Sequence, residues 1–223
     1  YKNITGVDAL TKVFQSIQAC VAAGLKTKVN AVLSESLFEE KNVISESSWE
    51  ISAKKQAKER LLNNCLDLLE LSRNSSVDVR FIEMMPIGLG RAYTMTSGDD
   101  VLRRIRKEYP GIRADYREHG NGPAVYYTIP GFKGSLGFIS AMHGKFCNLC
   151  NRIRMTSTGD LKPCLCYEQR WALKPALRME NPEKRREEIQ NILRKSIENK
   201  PQMHCFEDTR QVTESHPMGQ IGG

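Results

Sequence analysis

The chain has 223 residues, of which 40% are hydrophobic and 26% are charged, and its net charge is +7. Nowhere do about 18 apolar residues run together, as a transmembrane helix requires, and no charged and apolar leader opens the chain. We therefore expect a cytoplasmic protein without a membrane span or a secretory signal. The basic surplus favours anionic partners.

Hydrophobic periodicity predicts alternating helices and strands in the first half of the chain. Helices are predicted over residues 8–23, 48–71 and 99–109, and strands over residues 28–33 and 77–85. This alternation is typical of parallel βα units. Two parallel strands cannot bury both faces of a sheet or pair both of its edges, so we expect further strands to complete this half.

The pattern changes after Pro110. Short β segments are predicted over residues 124–129, 137–141, 152–156 and 161–163, the last two joined by a turn, and helices around 171–178 and over 182–200. We therefore predict two domains, an α/β domain over residues 1–112 and a smaller α+β domain over residues 113–223.

The strongest motif is the CxxC of Cys147 and Cys150, followed after thirteen residues by Cys164 and then by Cys166. Such spacing is typical of a structural zinc site or an iron–sulfur cluster. The alternatives are a redox pair or buried cysteines without a metal. Four sulfurs would close the site, whereas three on a four-iron cluster leave one iron open to a substrate. Because Cys164 and Cys166 share a face of an extended chain, both possibilities stay open.

Two arginines, Arg152 and Arg154, follow the CxxC directly. On an extended chain their side chains share a face, and guanidinium groups are suited to bidentate binding of phosphate or carboxylate. The alternative is a solvated strand edge. Beside an open metal cluster we favour anion binding.

These motifs resemble a known family, the GTP 3′,8-cyclases of molybdenum cofactor biosynthesis, which are radical S-adenosylmethionine enzymes. The matching segments are ITG at residues 4–6, KVNAVL at 28–33, RFIEMMPIG at 80–88, GFIS…FCNLCNRIRMTSTGDLKPCL between 137 and 165, and the terminal Gly222 and Gly223. They follow the family's order over nearly the whole chain, and the cysteine block is highly specific.

The resemblance implies an α/β fold in which the C-terminal part of an incomplete (β/α)6 radical S-adenosylmethionine barrel precedes a small α+β domain with a [4Fe–4S] cluster. Cys147, Cys150 and Cys164 would hold this cluster, and its open iron would bind the guanine of GTP. The other implied site residues are Lys28, Arg152, Ile153 and Arg154 for GTP, Arg80 and Met85 for S-adenosylmethionine, and Gly222 and Gly223 in the active site. In the family's reaction a 5′-deoxyadenosyl radical removes hydrogen from C3′ of GTP, and the carbon radical then attacks C8.

Several of these residues also have plainer interpretations. Lys28 could extend to solvent, and Arg80 could pair with Asp78 or Glu83. Met85 could belong to the core, and the terminal Gly222 and Gly223 could be a frayed end.

Two features depart from the family pattern. The CxxxCxxC that binds the radical-generating [4Fe–4S] cluster is absent, so we expect an N-terminal segment of the protein to lie outside this chain. The family usually has a phenylalanine-like residue where Cys166 stands.

The main reading is the substrate-binding portion of a GTP 3′,8-cyclase. Its implied partners are GTP, S-adenosylmethionine, a second copy in a homodimer and the downstream cyclic pyranopterin monophosphate synthase, with no nucleic acid. One alternative is a zinc or iron–sulfur interaction module in which Cys166 closes a four-cysteine site. Another is a related radical enzyme that acts on a different substrate.

Overall fold

The structure is a computed structural model that describes residues 2–34, 48–93, 95–144 and 146–221. The chain forms two compact units: Tyr1–Met84 with Tyr93–Gly144, and Met85–Ala92 with Lys145–Gly223. No helix within the described ranges has both the length and the apolar composition needed to cross a membrane.

The first unit contains a five-stranded sheet. Its helices are α1 (Lys2–Thr5), α2 (Leu10–Ala22), α3 (Ser48–Leu69) and α4 (Gly98–Glu108). Its strands are β1 (Lys28–Leu33), β2 (Asp78–Glu83), β3 (Arg113–Ala114), β4 (Val125–Thr128) and β5 (Leu136–Ile139), in the order β1-β2-β5-β4-β3. β1, β2 and β5 are parallel, whereas β4 and β3 continue the sheet in antiparallel fashion. The α/β class is confirmed, and β5 is one of the additional strands that the sequence required.

The compact units do not divide at residues 112 and 113, because β3, β4 and β5 belong to the sheet of the first unit. The second segment of the first unit continues instead to Gly144. The assignment of residues 1–112 to a partial barrel and of 113–223 to a cluster-bearing domain stays a prediction.

The parallel register sorts the residues of the sheet onto two faces. One face is apolar and packs against α3 and α4, with a core that includes Leu33, Val79, Phe81, Leu136 and Phe138 from the strands and Leu61, Leu69, Val101 and Ile105 from the helices. Because successive strand residues point to opposite faces, the partners Lys28 and Asp78 lie on the other face. Except for Glu83, the polar residues of β1 and β2 thereby lie on the face opposite these helices.

Helix α4 is fixed at its N-terminus by a local cap and by a buried carboxylate. The Ser97 hydroxyl accepts a hydrogen bond from the N–H of Asp100, which satisfies one of the free amides of the first turn. Glu83, at the end of β2, is 2% exposed, and its Oε1 accepts a hydrogen bond from the N–H of Gly98 at 2.9 Å. Its Oε2 accepts another from the N–H of Met142 at 2.9 Å. One carboxylate therefore joins β2, α4 and the segment after β5.

The second unit is built on a small antiparallel sheet. Its strands, in the order β6-β7-β8, are β6 (Arg154–Met155), β7 (Asp160–Lys162) and β8 (Trp171–Ala172). Its helices are α5 (Lys174–Leu177) and α6 (Pro182–Glu198), and the core between sheet and helices consists of Leu161, Leu173, Ala176 and Ile192. The expected turn between β6 and β7 is confirmed, with Gly159 at a φ of 90° that glycine adopts without strain.

The helix predicted around residues 171–178 is wrong in its first part. Trp171 pairs with Leu161 in the β7–β8 ladder, and α5 begins only at Lys174. Pro175 lies in the first turn of α5, where its missing N–H leaves no hydrogen bond unmade. Pairing with β7 and packing on the small core therefore override the helical spacing.

The segment after β3 is attached to the sheet through Asp115, whose side chain is only 3% exposed. Asp115 accepts hydrogen bonds from Arg117 Nη2 at 2.7 Å and from the Ser135 hydroxyl at 2.6 Å, and its Oδ2 lies 3.0 Å from Nε2 of His119. The hydrogen bonds from Arg117 are the largest cause that lowers the pKa of Asp115 well below its usual range. The folded unit therefore favours the charged carboxylate.

We expect Gly134→Ala to lower the free energy of unfolding by about 3 kcal/mol, because overpacking against backbone is difficult to relieve. A Cβ at this position would lie 1.9 Å from the carbonyl oxygen of Val77. Urea unfolding measures the effect. Gly219→Ala is the control, since nothing lies within 4 Å of the added atom. Equal stability of the two variants would contradict the packing described here.

We expect Asp115→Asn to lower the free energy of unfolding by about 2 kcal/mol at pH 7, the range of hydrogen bonds to a charged group. Because the folded-state pKa of Asp115 lies below the unfolded value, the wild-type advantage is full at neutral pH. It shrinks as the pH falls below about 4. Urea unfolding at pH 7 and pH 3.5 measures both values.

The control for this change is Asp67→Asn, at an exposed position of α3, for which we expect an effect within about 0.5 kcal/mol. A pH-independent difference between wild type and Asp115→Asn would contradict the assignment to the carboxylate charge.

Candidate functional site

Lys28 begins β1 on the polar face of the first sheet, and its side chain is half-buried. Its ammonium donates a hydrogen bond to the carbonyl oxygen of His119 and lies 6.0 Å from the centre of the Tyr126 ring. The His119 ring stacks on Tyr126 at 3.9 Å, and its Nδ1 lies 2.8 Å from Oδ2 of Asp78. Lys28 therefore does not simply extend into solvent, since the segment around residue 119 holds its charged end.

Arg80 lies on the same face, one strand further into the sheet. Its Nε donates a hydrogen bond to Oδ1 of Asn30 at 2.8 Å. The room for Arg80 comes from Gly137, where a Cβ would lie 2.9 Å from Arg80 Cγ. Arg80 thus bonds to a neutral side chain on its own face, whereas Glu83, a proposed ion-pair partner, points to the other face.

A cavity of about 230 Å³ lies beside Lys28 in the first unit. Its lining includes four basic side chains, Lys26, Lys28, Arg117 and Lys133, against two acidic ones, Asp78 and Glu118. A cavity with this excess of positive charge is suited to an anionic group such as a phosphate.

The three predicted cluster cysteines, Cys147, Cys150 and Cys164, are all half-buried and free in the second unit. Burial is the largest cause of a raised pKa for the Cys164 thiol, and the thiols of Cys147 and Cys150 raise it further. The backbone N–H of Cys166 and the charge of Lys200 act in the opposite direction. The thiols of Cys147, Cys150 and Cys164 therefore lie in the same region of the second unit.

Within the described ranges, no three His, Cys, Asp or Glu side chains converge closely enough to hold a metal ion. The donor set nevertheless fits a cluster, because three neighbouring thiols can supply three thiolates and none of them is sealed in the core as Cys65 is. The assignment of a [4Fe–4S] cluster to Cys147, Cys150 and Cys164 stays a prediction.

Cys166 is a free thiol that forms a hydrogen bond with Cys205, outside the predicted ligand set. It is 0% exposed, its Sγ lies 3.0 Å from Sγ of Cys205, and the N–H of Cys205 also donates to its sulfur at 3.3 Å. The chain bends after β7, so the extended geometry that would place Cys164 and Cys166 on one face ends at Lys162.

The two arginines flank Ile153, which packs against the small core of the second unit. Arg154 begins β6 and is half-buried, and burial is the largest cause that lowers the pKa of its guanidinium. Cys150 and Cys164 act on it in the opposite direction, while the charge of Arg152 lowers its pKa further. Arg154 is therefore an electrostatic neighbour of two predicted cluster ligands and of the other arginine.

The remaining predicted residues are only partly described. Met85 belongs to the second unit, where it is half-buried. Gly222 and Gly223 lie outside the described residues.

Sequence reasoning did not identify His119, Cys205 or Lys200, all of which contact predicted site residues or their neighbours. Lys200 offered a weak signal, because a lysine just after a helix is well placed to bond backbone carbonyls. His119 and Cys205 occur in segments without a clear period, so their positions carried no signal.

Several curated proteins are similar to this chain. A GTP 3′,8-cyclase of Clostridium perfringens (strain SM101 / Type A) is 34% identical over 223 residues, which are 100% of this chain and 61% of that protein. A GTP 3′,8-cyclase of Desulforamulus reducens is 36% identical over 160 residues, 70% of this chain and 48% of that protein. Molybdenum cofactor biosynthesis protein 1 of Drosophila melanogaster is 30% identical over 222 residues, 97% of this chain and 34% of that protein.

The chain thus spans 61% of the length of the Clostridium relative and smaller shares of the other two. The family model described as Molybdenum Cofactor Synthesis C matches residues 77–206. This match includes β2, β3, β4 and β5 of the first sheet, but not β1, and all four cysteines of the motif. Since it covers more than half of the sequence, the chain belongs to the Molybdenum Cofactor Synthesis C family.

Proposed function

We propose that this chain is the substrate-binding portion of a GTP 3′,8-cyclase, and that its second unit binds GTP beside a [4Fe–4S] cluster held by Cys147, Cys150 and Cys164. One observation carries the proposal: the β6–β7 ladder pairs Arg154 with Lys162, which places Arg154 between the segment that carries Cys150 and the segment that carries Cys164. Cations beside thiolates create a region in which a cluster and an anionic ligand can bind together. The relatives named GTP 3′,8-cyclase support this reading.

The proposal requires three protein ligands rather than four. The contact between Cys166 and Cys205 supports this, because it occupies the Cys166 sulfur in the interior of the unit. It also argues against the alternative of a closed four-cysteine interaction module. A cluster with three protein thiolates supplies, when bound, an iron that can take a nitrogen or oxygen atom of a substrate as its fourth ligand.

The residues of this chain then bind and orient the nucleotide. Ile153 packs against the small core, so the side chains of its neighbours Arg152 and Arg154 point away from that core. This orientation is the one that phosphate binding by both arginines requires. Their guanidinium groups offer paired N–H donors to phosphate oxygens, and the partial burial of Arg154 strengthens such a contact by excluding water. Ile153 contributes by holding this short segment against the core.

The proposal also includes the remaining predicted site residues and partners. Lys28 is proposed as a GTP ligand, and the excess of basic residues in the adjacent cavity is consistent with a phosphate. Arg80 and Met85 are proposed as S-adenosylmethionine ligands, and Gly222 and Gly223 as the active-site terminus. The incomplete barrel, the homodimer and the downstream synthase also stay predictions.

Anaerobic reconstitution with iron and sulfide tests the cluster. We expect about four irons per chain and a broad visible absorption that changes when GTP is added. Cys164→Ser should lose most of the iron, because a thiolate ligand is removed. Cys166→Ser should keep it, because the Cys166 thiol is hydrogen-bonded to Cys205 rather than placed in the ligand set. A colourless protein with one zinc, or loss of iron from Cys166→Ser, would contradict the three-cysteine cluster.

We expect Arg152→Ala and Arg154→Ala each to weaken GTP binding by at least about tenfold, because each removes charged hydrogen bonds to phosphate. Calorimetry on the reconstituted chain measures the affinity, and iron analysis confirms that the cluster is retained. Arg186→Ala, at an exposed position of α6, is the matched control and should bind GTP normally. Unchanged affinity in both site variants would remove the phosphate-binding role.

A further inference from the structure

The two segments that carry the predicted cluster ligands leave the small sheet side by side. The β6–β7 ladder consists of the pairs Arg154 with Lys162 and Met155 with Leu161. Cys150 lies four residues before this ladder, and Cys164 lies two residues after it. Among the described residues no further strand pairing joins the two segments beyond Arg154 and Lys162.

Lys200 connects these segments at that point. Its ammonium donates a hydrogen bond to the carbonyl oxygen of Arg152 at 2.9 Å and another to that of Pro163 at 2.7 Å. Arg152 is two residues beyond Cys150, and Pro163 directly precedes Cys164. One cation therefore bridges the backbones of both ligand-bearing segments.

Helix α6, which directly precedes Lys200, is fixed in the second unit at its start and along its length. Helix α6 starts at a firm cap, where the Asn181 side chain accepts hydrogen bonds from two backbone amides, and Ile192 anchors the helix in the core. The helix ends at Glu198, and Pro201 prevents its continuation. Lys200 is half-buried, so its hydrogen bonds to the two carbonyls face less competition from water than exposed ones would.

We propose that Lys200 is a positioning residue for the cluster, which ties the Cys150 segment to the Cys164 segment and so holds their thiolates together. This inference rests on the proposed cluster and names a residue outside its ligand set. Groups that orient metal ligands in this way typically change metal affinity by about 10- to 100-fold when they are removed.

The test compares Lys200→Met with wild type after anaerobic reconstitution with iron and sulfide. Methionine keeps the length of the side chain but donates no hydrogen bond and carries no charge. We expect Lys200→Met to release iron to a chelator about tenfold faster than wild type. Lys195→Met, at an exposed position on the same helix, should release iron at the wild-type rate.

A second variant separates positioning from folding. Lys200→Arg keeps donors and charge, so it should restore much of the slow iron release, and the electron paramagnetic resonance spectrum of its reduced cluster should resemble that of wild type. Urea unfolding of the metal-free proteins provides the structural readout. If Lys200→Met does not fold, the comparison of Lys200→Arg with wild type carries the test.

The outcomes separate the two proposals. Wild-type protein that takes up no iron overturns the proposed cluster together with the role of Lys200. Wild-type protein that holds iron, with Lys200→Met releasing it at the same rate, overturns the role of Lys200 alone. Faster release from Lys195→Met as well would also overturn it, because the effect would then reflect the loss of any basic residue on α6.

Discussion

The alternation of side chains along β1 and β2 is the constraint on which the first unit depends. Helices α3 and α4 pack against one face of the sheet, so the residues at every second position of β2 are buried. Val79 and Phe81 are apolar, and the buried Glu83 carboxylate is satisfied by hydrogen bonds. The intervening positions do not meet these helices and carry Asn30 and Arg80. A shift of register by one residue would exchange the two sets. The same strand register therefore determines both the packing of the core and the placement of the polar side chains.

Backbone carbonyls hold cations at several loops of the molecule. Lys28 bonds to the carbonyl of His119 in the first unit, and Lys200 bonds to two carbonyls in the second. Arg91 similarly donates to the carbonyl oxygens of Val212 at 2.8 Å and Glu214 at 3.1 Å. Short strands leave many such groups without ladder partners, and long cationic side chains satisfy them. The basic surplus of the chain thus serves structure as well as any anionic ligand.

The sequence alone predicts an element correctly where the residues of that element carry the pattern. The strand at residues 28–33 is confirmed at both ends, because a short segment rich in Val and Leu needs no distant partner to be recognised as a strand. The strand at Trp171 was mistaken for helix, since a two-residue strand exists only through its pairing with β7. The contact between Lys28 and His119 spans 91 residues, and that between Cys166 and Cys205 spans 39. Contacts between residues so far apart in the chain produce no local pattern in the sequence.

The C-terminal segment illustrates how a buried ion pair can fix a chain end that looks disordered in sequence. Residues 204–221 contain no helical or strand period, yet Glu214 is 0% exposed and pairs with Lys162, which is equally buried. Removing one partner of such a pair leaves an uncompensated charge, so the two residues depend on each other. Ile221 is also fully buried. Residues 214 and 221 are therefore buried in the second unit, although no sequence period marks this segment.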